Sequence, residues 1–318
     1  MRKIVITGGT GFVGRSVCEQ LAAADAGCRL VVPTRRLANG RTVMTLPTVD
    51  LVEADVHDAD QMTALLQGAD ALVHLVAILH GSAAQFDRVH VQLPRSLAAA
   101  CARAGVRRVV HVSALGVAAD APSDYLRSKA AGEAVWQQAL GATGGDLTIL
   151  RPSVIFGADD RFTNLFARLQ RLFPVLPLAG ATARFQPVYI ADVADAMVDC
   201  LTRSDTFGQV YELAGPRAYS LREMVDYVAK LSGRCSAVIN LGGGLAALQA
   251  RILSLLPNPP LSPDNLRSMQ VDNLTDGARN YPGWNPKSLE SIAPGYLAKV
   301  KVKSRLDGFR SHAGRAGN

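Results

Sequence analysis

Lys3-Ile4-Val5-Ile6-Thr7-Gly8-Gly9-Thr10-Gly11-Phe12-Val13-Gly14 is the stretch that decides the fold. An apolar, β-branched run stops at a cluster of glycines and a helix-period segment opens at Phe12, so the stretch reads as strand, tight turn, helix. Gly8, Gly11 and Gly14 have the spacing G-x-x-G-x-x-G. A strand must turn sharply at Gly8, the backbone must come close to a pyrophosphate near Gly11, and Gly14 lets the helix pack closely. Unpaired N–H groups and the positive dipole end at the helix start suit phosphates. A glycine turn without a ligand is the plain alternative. The strand before and the helix after favour dinucleotide binding by Gly8, Thr10, Gly11, Phe12, Val13 and Gly14.

Outward from that unit, short apolar runs alternate with helix-period segments. Strands are expected at Arg29 to Pro33, Val49 to Glu53, Ala71 to Val76, Arg107 to Ser113 and Leu147 to Leu150. Helices are expected at Phe12 to Ala24, Ala59 to Gln67, Phe86 to Ala104 and Tyr125 to Leu140. Near-continuous apolar strands separated by helices make a parallel sheet covered on both faces, and right-handed crossovers make it doubly wound. The fold class is therefore α/β, a Rossmann sheet spanning 1–156, with a smaller C-terminal lobe over 157–298 and a basic tail at 299–318. In the lobe, helices are expected at Phe162 to Leu172, Ile190 to Leu201 and Leu221 to Leu231, with a strand at Val210 to Leu213 returning to the sheet.

The second strand runs into Pro33-Thr34-Arg35-Arg36 with no acid to bind ribose hydroxyls. Arg35 and Arg36 instead suit a 2′-phosphate, which makes NADP(H) the preferred cofactor and NAD(H) the alternative; two solvated loop arginines are the plain reading. After the third strand, Asp55 and Val56 are placed to meet the adenine, while Asp58 suits a helix cap.

Tyr125-Leu126-Arg127-Ser128-Lys129 puts Tyr125 and Lys129 on one helical face, and Ser113 ends the fifth strand. A phenol can act as acid or base on a substrate oxygen. A neighbouring ammonium would lower its pKa and hold a ribose, and a serine would orient a carbonyl. Tyr and Lys at i and i+4 alone are usually an exposed pair. With the glycine turn and Ser113 at the same carboxyl edge, the three form a candidate catalytic set.

The 318 residues carry a net +7, but Lys299, Lys301, Lys303, Arg305, Arg310 and Arg315 against Asp307 put +5 in the last twenty and leave +2 for the rest. A nearly neutral body does not offer a nucleic acid its positive patch. The tail reads first as a solvated end and second as a weak anchor for an anionic membrane. Cys18, Cys28, Cys101, Cys200 and Cys235 are scattered and form no C-x-x-C, and no histidines pair as ligands, so neither a disulfide framework nor a metal is expected. The early apolar run is too short for an export signal and no eighteen-residue apolar run exists. The expectation is a cytoplasmic protein, with a peripheral position at the inner face of the membrane as its extension. Nothing in the pattern fixes an oligomeric state.

The chain resembles the extended and atypical short-chain dehydrogenase/reductases in T-G-x-x-G-x-x-G, the serine, Y-x-x-x-K and R-P-x-x-x-x-G, the last matched by Arg151-Pro152 through Gly157. His111-Val112-Ser113-Ala114-Leu115-Gly116, Tyr125 to Lys129 and Asp160-Arg161-Phe162-Thr163-Asn164 resemble the branch that contains the nucleotide-binding accessory subunit of respiratory complex I and bacterial relatives. The resemblance implies further cofactor contacts from Leu75, Val76 and Ala77 after the fourth strand and from Pro152 and Val154 after the sixth. It also implies contact with a respiratory complex, or quinone-related chemistry. His74-Leu75-Val76-Ala77 departs from the usual Asn-Ala-Gly, and His90 falls near the asparagine that often completes the proton relay, which counts against ordinary sugar chemistry.

Asp192 is expected to fix a helix start, and Arg161 and Arg184 to pair with neighbouring acids, the alternative being contact with an anionic substrate group. Leu245, Leu248, Ile252, Leu255 and Leu256 fall on one helical face. Such a stripe is expected in a core; the alternative is a cover for a lipid-like substrate or a membrane surface. The reading is an NAD(P)H-dependent oxidoreductase for a small apolar carbonyl or quinone-related substrate. The alternatives are a non-catalytic NADPH-binding accessory protein of a respiratory membrane complex and a nucleotide-sugar epimerase or dehydratase.

Overall fold

In a computed structural model, residues 1–233, 236–257 and 259–298 are described; the basic tail lies outside the described residues. The strands are β1 (Lys3–Thr7), β2 (Arg29–Thr34), β3 (Val49–Glu53), β4 (Ala71–His74), β5 (Arg108–Val112), β6 (Asp146–Pro152), β7 (Ile155–Phe156), β8 (Val175–Ala179), β9 (Arg184–Phe185), β10 (Val188–Tyr189), β11 (Val210–Leu213), β12 (Tyr219–Ser220) and β13 (Ala237–Leu241). The helices are α1 (Phe12–Ala24), α2 (Ala59–Leu66), α3 (Ala83–Asp87), α4 (Leu93–Ala104), α5 (Asp124–Thr143), α6 (Thr163–Leu172), α7 (Ile190–Thr202), α8 (Leu221–Ser232), α9 (Gly243–Leu253), α10 (Pro263–Ser268), α11 (Leu289–Ile292) and α12 (Pro294–Leu297).

Seven parallel strands form the main sheet in the order β11-β6-β5-β4-β1-β2-β3. The order reverses between β1 and β4, which opens a crevice at their carboxyl ends. Alternation along each strand divides the core. Ile4, Ile6 and Val32 pack with Val17 of α1 and Met197 of α7, whereas Val5, Val31 and Leu72 pack with Leu97 of α4 and Trp136 of α5. From the second half of the chain, α7 and β11 join this unit. The remaining elements build a lobe around Phe156, Leu176, Leu178, Val225 and Leu297. Its paired strands β8 and β13 show no clear strand signal in the sequence, since Pro177 interrupts one and Gly242 to Gly244 follow the other.

The single helix expected over Phe86 to Ala104 is instead α3, a wide π turn at Arg88–Gln92 and α4. The cause is Pro94. It has no N–H to return to the carbonyl of His90, four residues earlier, so the helix widens there. The freed carbonyl faces α5, where a Cβ on Gly132 would sit 2.0 Å from the His90 oxygen. Only glycine permits that approach.

Candidate functional site

The glycine turn sits in the crevice. Gly8 has φ +79°, the left-handed region, and a Cβ there would lie 3.1 Å from the backbone of Leu75. A Cβ on Gly14 would stand 2.3 Å from the Gly8 oxygen, so α1 packs directly on the turn. The first turn of α1 has no acid and Gly11 caps it without a side chain, leaving its N–H groups to a ligand. This cradle fits a dinucleotide's pyrophosphate. Thr10, Phe12 and Val13 are half-buried around it.

Leu75 and Val76 follow β4 half-buried and Ala77 is exposed. Pro152 is buried at the end of β6 and its carbonyl accepts from Leu115 N at 2.9 Å. Val154 packs on the lobe cluster, bridging sheet and lobe. Arg35 and Arg36 are exposed just past β2, and neither forms an ion pair among the described residues. The Asp55 carboxylate takes the N–H of His57 at 3.0 Å, with Val56 half-buried beside it. Asp58 caps α2 through the N–H groups of Asp60 and Gln61. Asp192 does not cap α7: its carboxylate accepts from Lys287 N at 2.7 Å and pairs with that lysine's amine. Arg161 and Arg184 form no ion pair among the described residues: of the acids beside Arg161, Asp159 pairs with Arg15 and Asp160 accepts from Gly157 N and Thr163 N.

Ser113 is buried at the end of β5 and its Oγ has no partner among the described residues. Tyr125 and Ala114, the neighbour of Ser113, pack on one small cluster of Val117, Ala121 and Leu126. Lys129 is 3% exposed, and its Nζ donates to the Val112 carbonyl at 2.7 Å, tying α5 to the strand end that carries Ser113. Burial pulls the Lys129 amine down to about 8, opposed by Glu133 one turn on. Glu133 is held by a bidentate contact from Arg151, at 2.9 and 2.6 Å. The phenol differs from expectation. Burial pushes Tyr125 up to about 12, with no lowering contribution from Lys129, whose Nζ donates to the Val112 carbonyl.

His90 holds Tyr125 from the side. Its Nε2 accepts from Ile78 N at 3.1 Å, so Nδ1 carries the proton and faces Ser128 Oγ at 2.8 Å. Ser128 in turn donates to the Tyr125 carbonyl at 2.8 Å, and the His90 ring stands edge-on to the phenol at 5.6 Å. From the lobe, Asp264 of α10 accepts from Asp124 N and Tyr125 N at 2.8 and 3.0 Å, capping α5. Sequence reasoning assigned no role to Ser128 or Asp264. Ser128 lies inside the Tyr-Lys motif, but Asp264 is 139 residues from Tyr125 and has no local signal.

His74 and His111 stack at 5.2 Å behind Lys129. Burial, and then the Lys129 charge, hold His74 and His90 down to about 3 and His111 well below its usual range. The unfolded chain takes up protons below 6.5 and the folded chain does not, so stability is present above that pH and falls as pH drops toward 3. Each histidine contributes about 1.4 kcal/mol per pH unit of that slope. Urea denaturation followed from neutral pH to about pH 5 should therefore show a falling midpoint, with a shallower fall in His90→Gln.

A family model for the NAD dependent epimerase/dehydratase family matches residues 4–214. The mouse protein NADH dehydrogenase (ubiquinone) 1 alpha subcomplex subunit 9, mitochondrial (Mus musculus), is 33% identical over 236 residues, 72% of this chain and 61% of that one. The aligned part thus spans less than two thirds of the mouse subunit. Ceramide reductase of Caulobacter vibrioides is 30% identical over 241 residues, covering 75% of this chain and 73% of the relative. The structure of DesIV, a dTDP-glucose 4,6-dehydratase from Streptomyces venezuelae with NAD bound, superposes with a TM-score of 0.67 at 25% identity, over 84% of this chain and 96% of that one. No described helix is long and apolar enough to cross a membrane. With a family match over residues 4–214, a glycine turn after the first strand and a seven-stranded parallel sheet, the chain belongs to the NAD dependent epimerase/dehydratase family, among the extended short-chain dehydrogenase/reductases.

Proposed function

We propose that this protein is a reductase that binds NADPH in preference to NADH and reduces a carbonyl of an apolar, quinone-related or isoprenoid-like molecule. The observation that carries the reading is Ser113: a buried hydroxyl without a partner among the described residues, just past β5, where the Lys129 amine of the helix that carries Tyr125 reaches the Val112 carbonyl. Bound in that cradle, the coenzyme supplies the hydride. Ser113 donates a hydrogen bond to the substrate oxygen and orients it. At about 12 the Tyr125 phenol keeps its proton at neutral pH and is a donor, which suits reduction over oxidation. Lys129 holds the nicotinamide ribose, and His90 and Asp264 fix the first turn of α5 so that the phenol stays aimed.

Arg35 and Arg36 support the NADPH preference, since both are exposed without ion pairs where an NAD-selective protein would present an acid. The test is calorimetric titration with NADPH and NADH, then a screen of lipophilic quinones and aldehydes for coenzyme oxidation. Replacing both arginines by serine should weaken NADPH by at least about tenfold and leave NADH unchanged, as expected for losing one charge-assisted phosphate contact or more. Equal affinities before and after would discard the preference.

A second reading, an NADPH-binding accessory role, is favoured by the Lys129 ammonium bonded to a backbone carbonyl and the phenol pushed up rather than down. Similarity to the complex I subunit agrees with it. Nucleotide binding without oxidation of either coenzyme across the panel would select it.

A further inference from the structure

Outside the crevice, the feature that departs furthest from an ordinary surface is α9. The sequence leads one to expect its apolar stripe in a core, and the structure turns it outward. Ala246 and Ala250 are the buried residues, and Gln249 Nε2 donates to the Pro177 carbonyl of β8 at 2.8 Å. Leu245, Leu248 and Ile252 are consequently 62%, 53% and 58% exposed, and Leu255 and Leu256 just beyond the helix are exposed too. Phe173 after α6 and, in the strand pair, Val175 and Ile239 add to the exposed apolar surface of the lobe.

The charge of this surface is one-sided. No Asp or Glu occurs from 161 through 191 or from 227 through 263, the two stretches that β8, β13 and α9 bring together. Arg168, Arg171 and Arg251 are exposed there and form no ion pair among the described residues. The nearest exposed acid on α8, Asp226, is paired with Arg222. The last described residues, α12 and Ala298, pack in the same lobe, so the sequence with net +5 that follows starts from it. A protein partner would need matching acids and shape. A fluid surface offering apolar chains beneath negative headgroups needs neither.

We infer that α9 and the β8–β13 pair form a docking face for an anionic lipid bilayer, with Leu245, Leu248 and Ile252 entering the interface and Arg168, Arg171 and Arg251 at headgroup level. The face is connected to the site: α10, which follows α9, holds the start of the catalytic helix through Asp264 and donates from Asn265 Nδ2 to the Leu79 carbonyl past β4. Delivery of an apolar substrate from the bilayer to Ser113 rests on the reductase reading. The docking itself does not.

The experiment is flotation of the purified full chain with phosphatidylcholine vesicles, with and without phosphatidylglycerol. Binding is expected only to the anionic vesicles and should weaken with salt. Leu245→Gln/Leu248→Gln/Ile252→Gln should reduce it by at least about tenfold. Arg168→Gln/Arg171→Gln/Arg251→Gln should reduce it by up to about fivefold per arginine. All six side chains are exposed, so melting temperature and NADPH affinity should be unchanged, which separates failure of docking from failure of the reductase reading. No flotation, equal flotation with neutral lipid, or flotation untouched by the apolar triple variant would overturn the inference. So would light scattering showing that the triple variant merely splits a dimer, which would make the stripe a subunit interface.

Discussion

Tyr125→Phe is expected to lower turnover by about 10²- to 10⁴-fold, the range for removing a positioned proton donor, with NADPH affinity within a few fold of the parent. The substitution deletes one oxygen and leaves the ring against His90 and Phe86, at 5.6 and 6.1 Å, so helix and pocket persist. Stopped-flow NADPH oxidation with the substrate found in the screen reads the first quantity and calorimetry the second. The parent's pH profile adds a check. With the phenol at about 12 and Lys129 at about 8, reduction should hold through neutral pH and fall above about 8, as the ammonium that binds ribose loses its proton. A Tyr125→Phe protein as active as its parent would remove the phenol from the mechanism.

Gly11→Val should abolish nucleotide binding while sparing the fold. Gly11 is exposed, has φ −81° and caps α1 in an extended conformation that valine also adopts; its Cβ would approach only the Gly8 oxygen, at 3.2 Å. The added methyls would occupy the space in front of the free N–H groups of α1. Losing two charge-assisted contacts of about 1.5–3 kcal/mol each weakens NADPH by about 10²-fold or more. Gly14→Ala is the contrasting control. Its Cβ would meet backbone of Gly8 and Gly9 at 2.3–2.7 Å, so the turn itself must move, and both affinity and melting temperature should drop. If Gly11→Val binds NADPH as the parent does, the pyrophosphate does not sit on this turn.

Features carried by near neighbours in sequence were legible without the structure. The strand Lys3–Thr7, the helix Phe12–Ala24 and the strands Val49–Glu53 and Val210–Leu213 fall on their expected bounds, because apolar period and glycine placement are local facts. Tyr125 and Lys129 share a helical face for the same reason. The break at Arg88–Gln92 was also encoded locally, in Pro94, but its purpose lies across the chain at Gly132. The second strand pair was illegible, since Pro177 hides β8 and its partner comes from sixty residues on.

What the sequence by itself determined is the doubly wound sheet, the glycine turn between β1 and α1 and the shared helical face of Tyr125 and Lys129, each fixed by periodicity or spacing within about one turn or strand. Only the tertiary structure decided the direction of the Lys129 amine, the grip of His90 and Asp264 on the first turn of α5, and the outward turn of Leu245, Leu248 and Ile252. Those outcomes depend on which distant groups meet, and on whether a helix buries its alanines or its leucines; periodicity identifies a face but not what lies opposite it.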